Sequence, residues 1–416
     1  MPNSKDKVEH AIRKGARSVV KHLAPTVSHR RVITKKALDG TAFNVVSHQV
    51  GVLNESPRWV RVNPVGATPS AWSGNLQYVD FDIPQSIHVI TNTLLELSIT
   101  STNNATTLPP TPYWLDRYEL FSGNGTTILE TKHNHEIYHE SIAFHKMEDD
   151  LRNTNALYHH GEEYSQDATE LTVSGVNGKR FYVPLDTLLS QSKVFIPGFN
   201  QEFRLRVYFR ASIHSAGAAP TLNNATLIVQ DQHLSKPDYN NLFQAHKAGE
   251  VHYTFVAPDR HEEPLALTDN NTYTLKLSSH RSLSAGIIVY VGNQNMASGD
   301  ELRRDPLQSF EMLDDMGNKM TETLQEEFIR SFIIPNQIST DFAHYKNLYL
   351  IPFSSSFGTS LKFGKQLGAE QLTTNEQIKI NVGANSYSNT AKKVYVVSYN
   401  YHFLVCKGGN VEVEQS

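Results

Sequence analysis

A tandem echo constrains this chain more than any other feature of its sequence. Tyr182-Val183-Pro184-Leu185 returns as Leu350-Ile351-Pro352-Phe353, roughly 170 positions further on. Glu202-Phe203-Arg204-Leu205-Arg206-Val207 resembles the segment from Glu376 to Val382, and Leu227-Ile228-Val229 followed by His233 resembles Val396-Val397-Ser398 followed by His402. Both halves run in one order: an apolar strand ending in proline, a glycine-containing loop, an alternating strand, a long loop and a final strand. Chance can produce any one of these matches. Three in order, at nearly one offset, predict two copies of one fold, with a boundary near 231–250.

The copies read as β-structure. Apolar and polar residues alternate through Leu95, Leu97 and Ile99, through Phe203 to Phe209, through Tyr273, Leu275 and Leu277, and through Ile378, Ile380 and Val382. A period of two marks half-buried strands. Ile287–Val291 is apolar throughout, as in a strand covered on both faces. Turn clusters separate the strands at Gly123-Asn124-Gly125, Ser174–Gly178 and Asn385–Asn389. Only 19% of residues are charged and 39% are apolar, which excludes a disordered polymer. Two helical stretches are expected at 133–152 and 307–330, the second from the stripe Phe310, Leu313, Met316, Met320, Leu324 and Phe328. Segments 100–113, 211–225 and 258–272 read as long loops. A copy of this length suits an eight-stranded jelly roll with decorated loops.

Charge is unevenly placed. Residues 1–36 carry ten Lys or Arg against Asp6 and Glu9, a balance of +8 within a chain of net charge −4. Val8, Ile12, Val19 and Leu23 recur at helical spacing beside a basic stripe, and Pro25 ends the pattern. This predicts an amphipathic helix suited to an anionic partner: a lipid surface or nucleic-acid phosphates. The expected contact residues are Lys5, Lys7, Arg13, Lys14, Arg17, Lys21, Arg30 and Arg31. Nowhere do 18 apolar residues run together, so no spanning helix is expected. The N-terminus lacks an apolar signal core, so export by that route is not expected, and the N-x-S/T sites at Asn104, Asn124, Asn224 and Asn270 carry little meaning.

The repeat, the segment Phe181–Leu185 with Ile196-Pro197-Gly198 and Glu202–Phe209, and the ending Val394–Leu404 together resemble the double jelly-roll major capsid proteins of tailless icosahedral double-stranded DNA viruses. The resemblance covers roughly residues 40–405. The second copy departs from the first in having Phe353-Ser354-Ser355-Ser356 where the first has Leu185-Asp186-Thr187-Leu188, with no Pro-Gly pair after it. The resemblance implies an all-β fold: two tandem eight-stranded jelly rolls with short helices in loops and an N-terminal amphipathic helix. The divisions would be a basic arm at 1–36, jelly rolls at 37–240 and 241–408, and a tail at 409–416. It further implies a structural shell protein without cofactor, located in the virion and assembled in the host cytoplasm or nucleus. Three subunits, each offering two similar barrels, would make a pseudo-hexameric homotrimer that tiles a facet. Its partners would be its own copies, penton or minor capsid proteins, and an internal membrane or viral genome met by the arm.

One local pattern points elsewhere. His135-Glu136-Ile137-Tyr138-His139 fits H-E-x-x-H, the spacing that puts two imidazoles on one helix face for zinc and a carboxylate beside them to activate water. His145 stands where the longer metalloprotease motif has its third ligand, but Ile142 occupies the position of that motif's turning glycine. The alternative to a zinc hydrolase is a polar helix whose histidines lie at a joint between subunits. A third class, a carbohydrate- or receptor-binding sandwich, would use Trp59, Trp72 and Trp114 as a platform, against which stands ordinary core packing. Cys406, the single cysteine, reads as buried packing, and the acidic pairs Asp149-Asp150, Glu162-Glu163, Glu262-Glu263 and Asp314-Asp315 read as solvated loop charge. There is no phosphate loop, nucleophile elbow or dinucleotide fingerprint.

Overall fold

The computed structural model describes residues 56–415 apart from 67, 69–76, 101–105, 109–110, 124–125, 145–170, 174–178, 212, 214–219, 278–281, 294–303, 339–346, 374 and 384–389. The basic arm with its eight contact residues, Trp72, His145, Asp149-Asp150, Glu162-Glu163 and the clusters 174–178 and 385–389 therefore lie outside the described residues.

In the first half, β1 (Ser56–Val62), β10 (Thr221–His233), β3 (Ile90–Thr100) and β8 (Lys179–Pro184) form one sheet in that order. Facing it, β2 (Gln77–Ile83), β9 (Phe203–Phe209), β5 (Leu115–Ser122) and β6 (Thr127–His133) form another. A short ribbon pairs β4 (Thr106–Leu108) with β7 (Leu171–Val173). In the second half, the first sheet runs β11 (Glu250–Leu267), β19 (Thr390–Lys407), β13 (Ser282–Asn293), β16 (Leu348–Pro352). The second runs β12 (Thr272–Lys276), β18 (Gln377–Asn381), β14 (Ser309–Leu313), β15 (Leu324–Gln325). Set aside β4 and β7 in the first half, and in the second β17 (Glu370–Leu372) and β20 (Asn410–Gln415), which pair off the main path, and both halves share one scheme: first-last-third-sixth in one sheet and second-seventh-fourth-fifth in the other. That is the jelly-roll order, executed twice.

Strand chemistry explains the echo. Pro184 and Pro352 each close an edge strand, opposite Leu94 and Gly286, where no ladder hydrogen bond from proline is needed. Leu95, Leu97 and Ile99 point into the core, Phe203–Phe209 alternates strictly, and Ile287–Val291 is buried along its whole length. The Ile196-Pro197-Gly198 turn has its own reason. A Cβ on Gly198 would stand 2.3 Å from the His246 ring, so only glycine lets helix α2 (Lys236–Ala248) close over it. His246 bridges the Leu242 carbonyl at 2.8 Å and the Tyr253 hydroxyl at 2.9 Å, and burial pulls its pKa down to about 4.

Two apolar cores result, and they are stitched together. β11 and β19 pair over their full length, and their far ends leave the second core for the first. Val251, Tyr253, Phe255, Leu404 and Cys406 pack in the first cluster, whereas Val256, Leu267 and Val394–Val397 pack in the second. Cys406 is buried, with its thiol 3.8 Å from the Gly198 carbonyl oxygen, and burial raises its pKa.

Several sequence expectations need correction. The helix expected over 307–330 is instead strand β14, a turn, strand β15 and then a helical stretch, α3, over 326–337. Asp314 builds the turn, accepting from the Met316 and Asn318 amides at 2.9 and 2.7 Å, while Gly317 adopts φ +84°. Phe310, Leu313, Met316 and Met320 mimic a helical stripe only because a strand, a turn and a bridge happen to repeat near that spacing; Met316 is solvent-exposed. The loop expected at 258–272 is mostly the second half of β11, whose Pro258 and Pro264 are tolerated on an edge strand. The loop expected at 211–225 gives way to β10 from Thr221. At the other end, Asn410–Gln415 forms strand β20, paired with β19.

Candidate functional site at the seam between the barrels

Helix α1 (Asn134–Phe144) leaves β6 of the first barrel directly. Glu136 caps it by accepting from the His133 amide at 2.9 Å. Behind it, the fully buried Lys132 donates to Glu140 at 2.8 Å and to the Asp186 carbonyl at 2.6 Å, with Glu130 at 3.3 Å. Glu130 in turn accepts from the Leu188 amide at 2.9 Å, starting the single helical turn Leu188–Gln191. The two carboxylates hold Lys132 charged although it is removed from water. These bonds fasten α1 to its own barrel, and Ile137 enters that barrel's core.

The other face of α1 meets the second barrel. Helical spacing puts His135, Tyr138 and His139 on one side. Tyr290 of β13 and Tyr395 of β19 are register partners whose rings stack at 4.7 Å on the outer face of their sheet. The His135 ring lies 5.3 Å from Tyr290 and 5.6 Å from Tyr395, and His139 stands edge-on to Tyr290 at 5.6 Å. Tyr138 belongs to the second core. Polar bonds complete the joint: the Tyr113 hydroxyl meets His135 Nδ1 at 3.1 Å, and Arg304 donates to His139 Nε2 at 2.7 Å. Arg260 lies over the Tyr395 ring and within 4.0 Å of Glu136. Burial, then the charge of Arg260 for His135 and of Arg304 for His139, pushes both imidazoles well below their usual pKa, so both are neutral. A cleft of about 200 Å³ opens beside the joint, lined by Tyr113, His133, His135, Arg210 and Arg260 among others.

These residues do not fit zinc. The Nε2 lone pair of His139 is taken by a guanidinium, and a dication there would face Arg304 and Arg260 together. One Glu136 oxygen is committed to the helix cap. Among the described residues, no group of three or more His, Cys, Asp or Glu stands where it could hold a metal ion. The H-E-x-x-H spacing instead places two rings against a tyrosine pair. Sequence reasoning missed Arg260, Arg304, Tyr290 and Tyr395, which lie more than a hundred positions away and carry no local signal. The acidic pairs within the described residues also act more specifically than solvated charge. Glu262 pairs with Lys393 at 2.8 Å and with Arg260, and Asp314 builds its turn. Trp114 is buried against Phe181, whereas Trp59 is half-exposed, so the two described tryptophans share no platform.

The architecture defines a class: the chain has the double jelly-roll fold of viral major capsid proteins, with four antiparallel sheets arranged as two tandem barrels. It is similar to VP54 of PBCV-1, in a crystal structure fitted into a cryo-EM reconstruction of the virophage Sputnik, with TM-score 0.63, 14% identity, and 88% of this chain and 97% of that one covered. The Faustovirus major capsid protein gives TM-score 0.56 at 10% identity over 85% of this chain and 91% of its own. A chain of the Sputnik virophage gives TM-score 0.56 at 8% identity over 86% and 88%. No protein-family model and no curated protein matches the sequence.

Proposed function

We propose that this chain is a major capsid protein of a double-stranded DNA virus, built to self-associate as a homotrimer with six barrel-like corners and to tile an icosahedral shell. The duplicated strand order carries the reading, because one subunit with two like barrels turns threefold association into pseudo-sixfold packing. The division into an arm at 1–36, jelly rolls at 37–240 and 241–408 and a terminal segment at 409–416 belongs to this reading. In it, Lys5, Lys7, Arg13, Lys14, Arg17, Lys21, Arg30 and Arg31 face the interior, against a membrane or the genome. Penton and minor capsid proteins are the other partners, and assembly takes place in the host cytoplasm or nucleus before the protein resides in the virion. No side chain is required to do chemistry.

Light scattering on the purified full chain tests this. A mass near three times 46.8 kDa is expected, and a monomer at every concentration would overturn the reading. Deleting residues 1–23 is expected to preserve the trimer and to weaken its binding to anionic vesicles. A deletion that unfolds the protein would show the arm to be part of the core instead.

A further inference from the structure

The two barrels are built alike, but their helices are not used alike within one chain. Helix α1 follows strand β6, the fifth main strand of the first barrel, and α3 follows β15, the fifth of the second. Each carries an aromatic pair four residues apart near its start: His135 and His139 on α1, Phe328 and Phe332 on α3. The α1 rings are buried against the outer face of the second barrel's β11-β19-β13-β16 sheet. The α3 rings stack on each other at 5.3 Å with 48% and 58% of their surface exposed. On the sheet equivalent to the covered one, β1-β10-β3-β8, the outer face exposes Trp59 at 54% on its edge strand, while Glu96 and Thr226 further in are buried. Arg61 on its first strand stands opposite Ile228, as Arg260 stands opposite Val397 in the repeat-related position.

We propose that Phe328 and Phe332 of one copy dock on the outer face of the β1-β10-β3-β8 sheet of a second copy, beside Trp59, in the manner of α1 on the second barrel. The inference rests on the self-associating reading above and names its interface. Internal symmetry is the first argument: the contact within one chain is the template for the contact between chains, and repeating it closes a ring only if α3 finds a first barrel. Charge is the second. Glu326 and Glu327 open α3 against the single cation Arg330, whereas on the receiving face Arg61 and Arg180 flank the single carboxylate Glu96, which both of them pair with, so each patch keeps one net charge and the two signs are opposite. Clustered exposed aromatics at a helix face are also what buried interface anchors look like in the free subunit.

The test uses the full chain. Phe328→Ser with Phe332→Ser is expected to weaken association about ten-fold or more while the thermal midpoint of the isolated subunit holds. Arg180→Glu is expected to weaken association, and adding Glu327→Arg to restore it. A photo-crosslinking benzoylphenylalanine in place of Phe332 is expected to yield inter-copy peptides from 56–62 or 179–184. If the wild type is trimeric and the double serine variant is equally so, or if crosslinks map to the second barrel, this interface is wrong and the capsid reading survives. If the wild type never associates, the capsid reading falls and takes the interface with it.

Discussion

The guanidinium of Arg304 donates to Nε2 of His139 at 2.7 Å, and the two residues are separated by 165 positions. This bond joins the helix of one barrel to a loop of the other. It also leaves the imidazole neutral and committed. A charged imidazole could not accept that bond and would add a third cation beside Arg304 and Arg260.

The joint is therefore expected to weaken in acid. The folded pKa of His135 and of His139 is depressed below the unfolded value near 6.5, so the unfolded chain binds more protons below that pH. Their contribution is whole above about pH 6.5 and is lost as pH falls toward the folded values, at up to about 1.4 kcal/mol per unit for each group. Urea midpoints at pH 7.5, 6.5 and 5.5 measure the slope. His135→Gln should flatten it; an unchanged slope would show that other groups carry the acid sensitivity.

Lys132 supports α1 from behind. Replacing it with Met leaves Glu130 and Glu140 buried without their cation, at a cost of about 3–5 kcal/mol. Adding Glu130→Gln and Glu140→Gln should recover much of that loss. A Lys132→Met protein that melts with the wild type would mean that water reaches the pair.

Gly198→Ala tests the close approach of α2. The new methyl would meet His246, and about 1–3 kcal/mol should be lost. Shortening the neighbour, in Gly198→Ala with His246→Ala, should cost less than the sum of the two single changes, as measured in a double-mutant cycle.

Metal content separates the seam from a catalytic centre. Purified protein is expected to carry no stoichiometric zinc, chelation should leave the melting curve in place, and His139→Ala should change stability rather than metal content. Zinc at one equivalent, lost on His139→Ala, would overturn the description of the seam.

Much of the strand framework was legible from the chain. Phe203–Phe209 and Ile378–Val382 alternate because one side of each strand faces a core, and Pro184 and Pro352 mark edges because proline gives no amide. Between 307 and 330 the reading failed where turn chemistry at Asp314 and Gly317 interrupted a spacing that imitated a helix. It also passed over α2, although Ser235, Pro237 and Asp238 form a helix-start signal, with Ser235 accepting from the Asp238 amide at 3.4 Å.

By itself the sequence determined that there are two like sandwiches in series, because side-chain alternation and edge prolines are local and leave a periodic trace. Only the tertiary structure decided what His135 and His139 do. Their partners come from Tyr113, Tyr290, Tyr395 and Arg304, brought together by sheet pairing across most of the chain. An imidazole beside a carboxylate suits a metal or a joint equally well until the third dimension places a cation, and not a vacancy, at its lone pair.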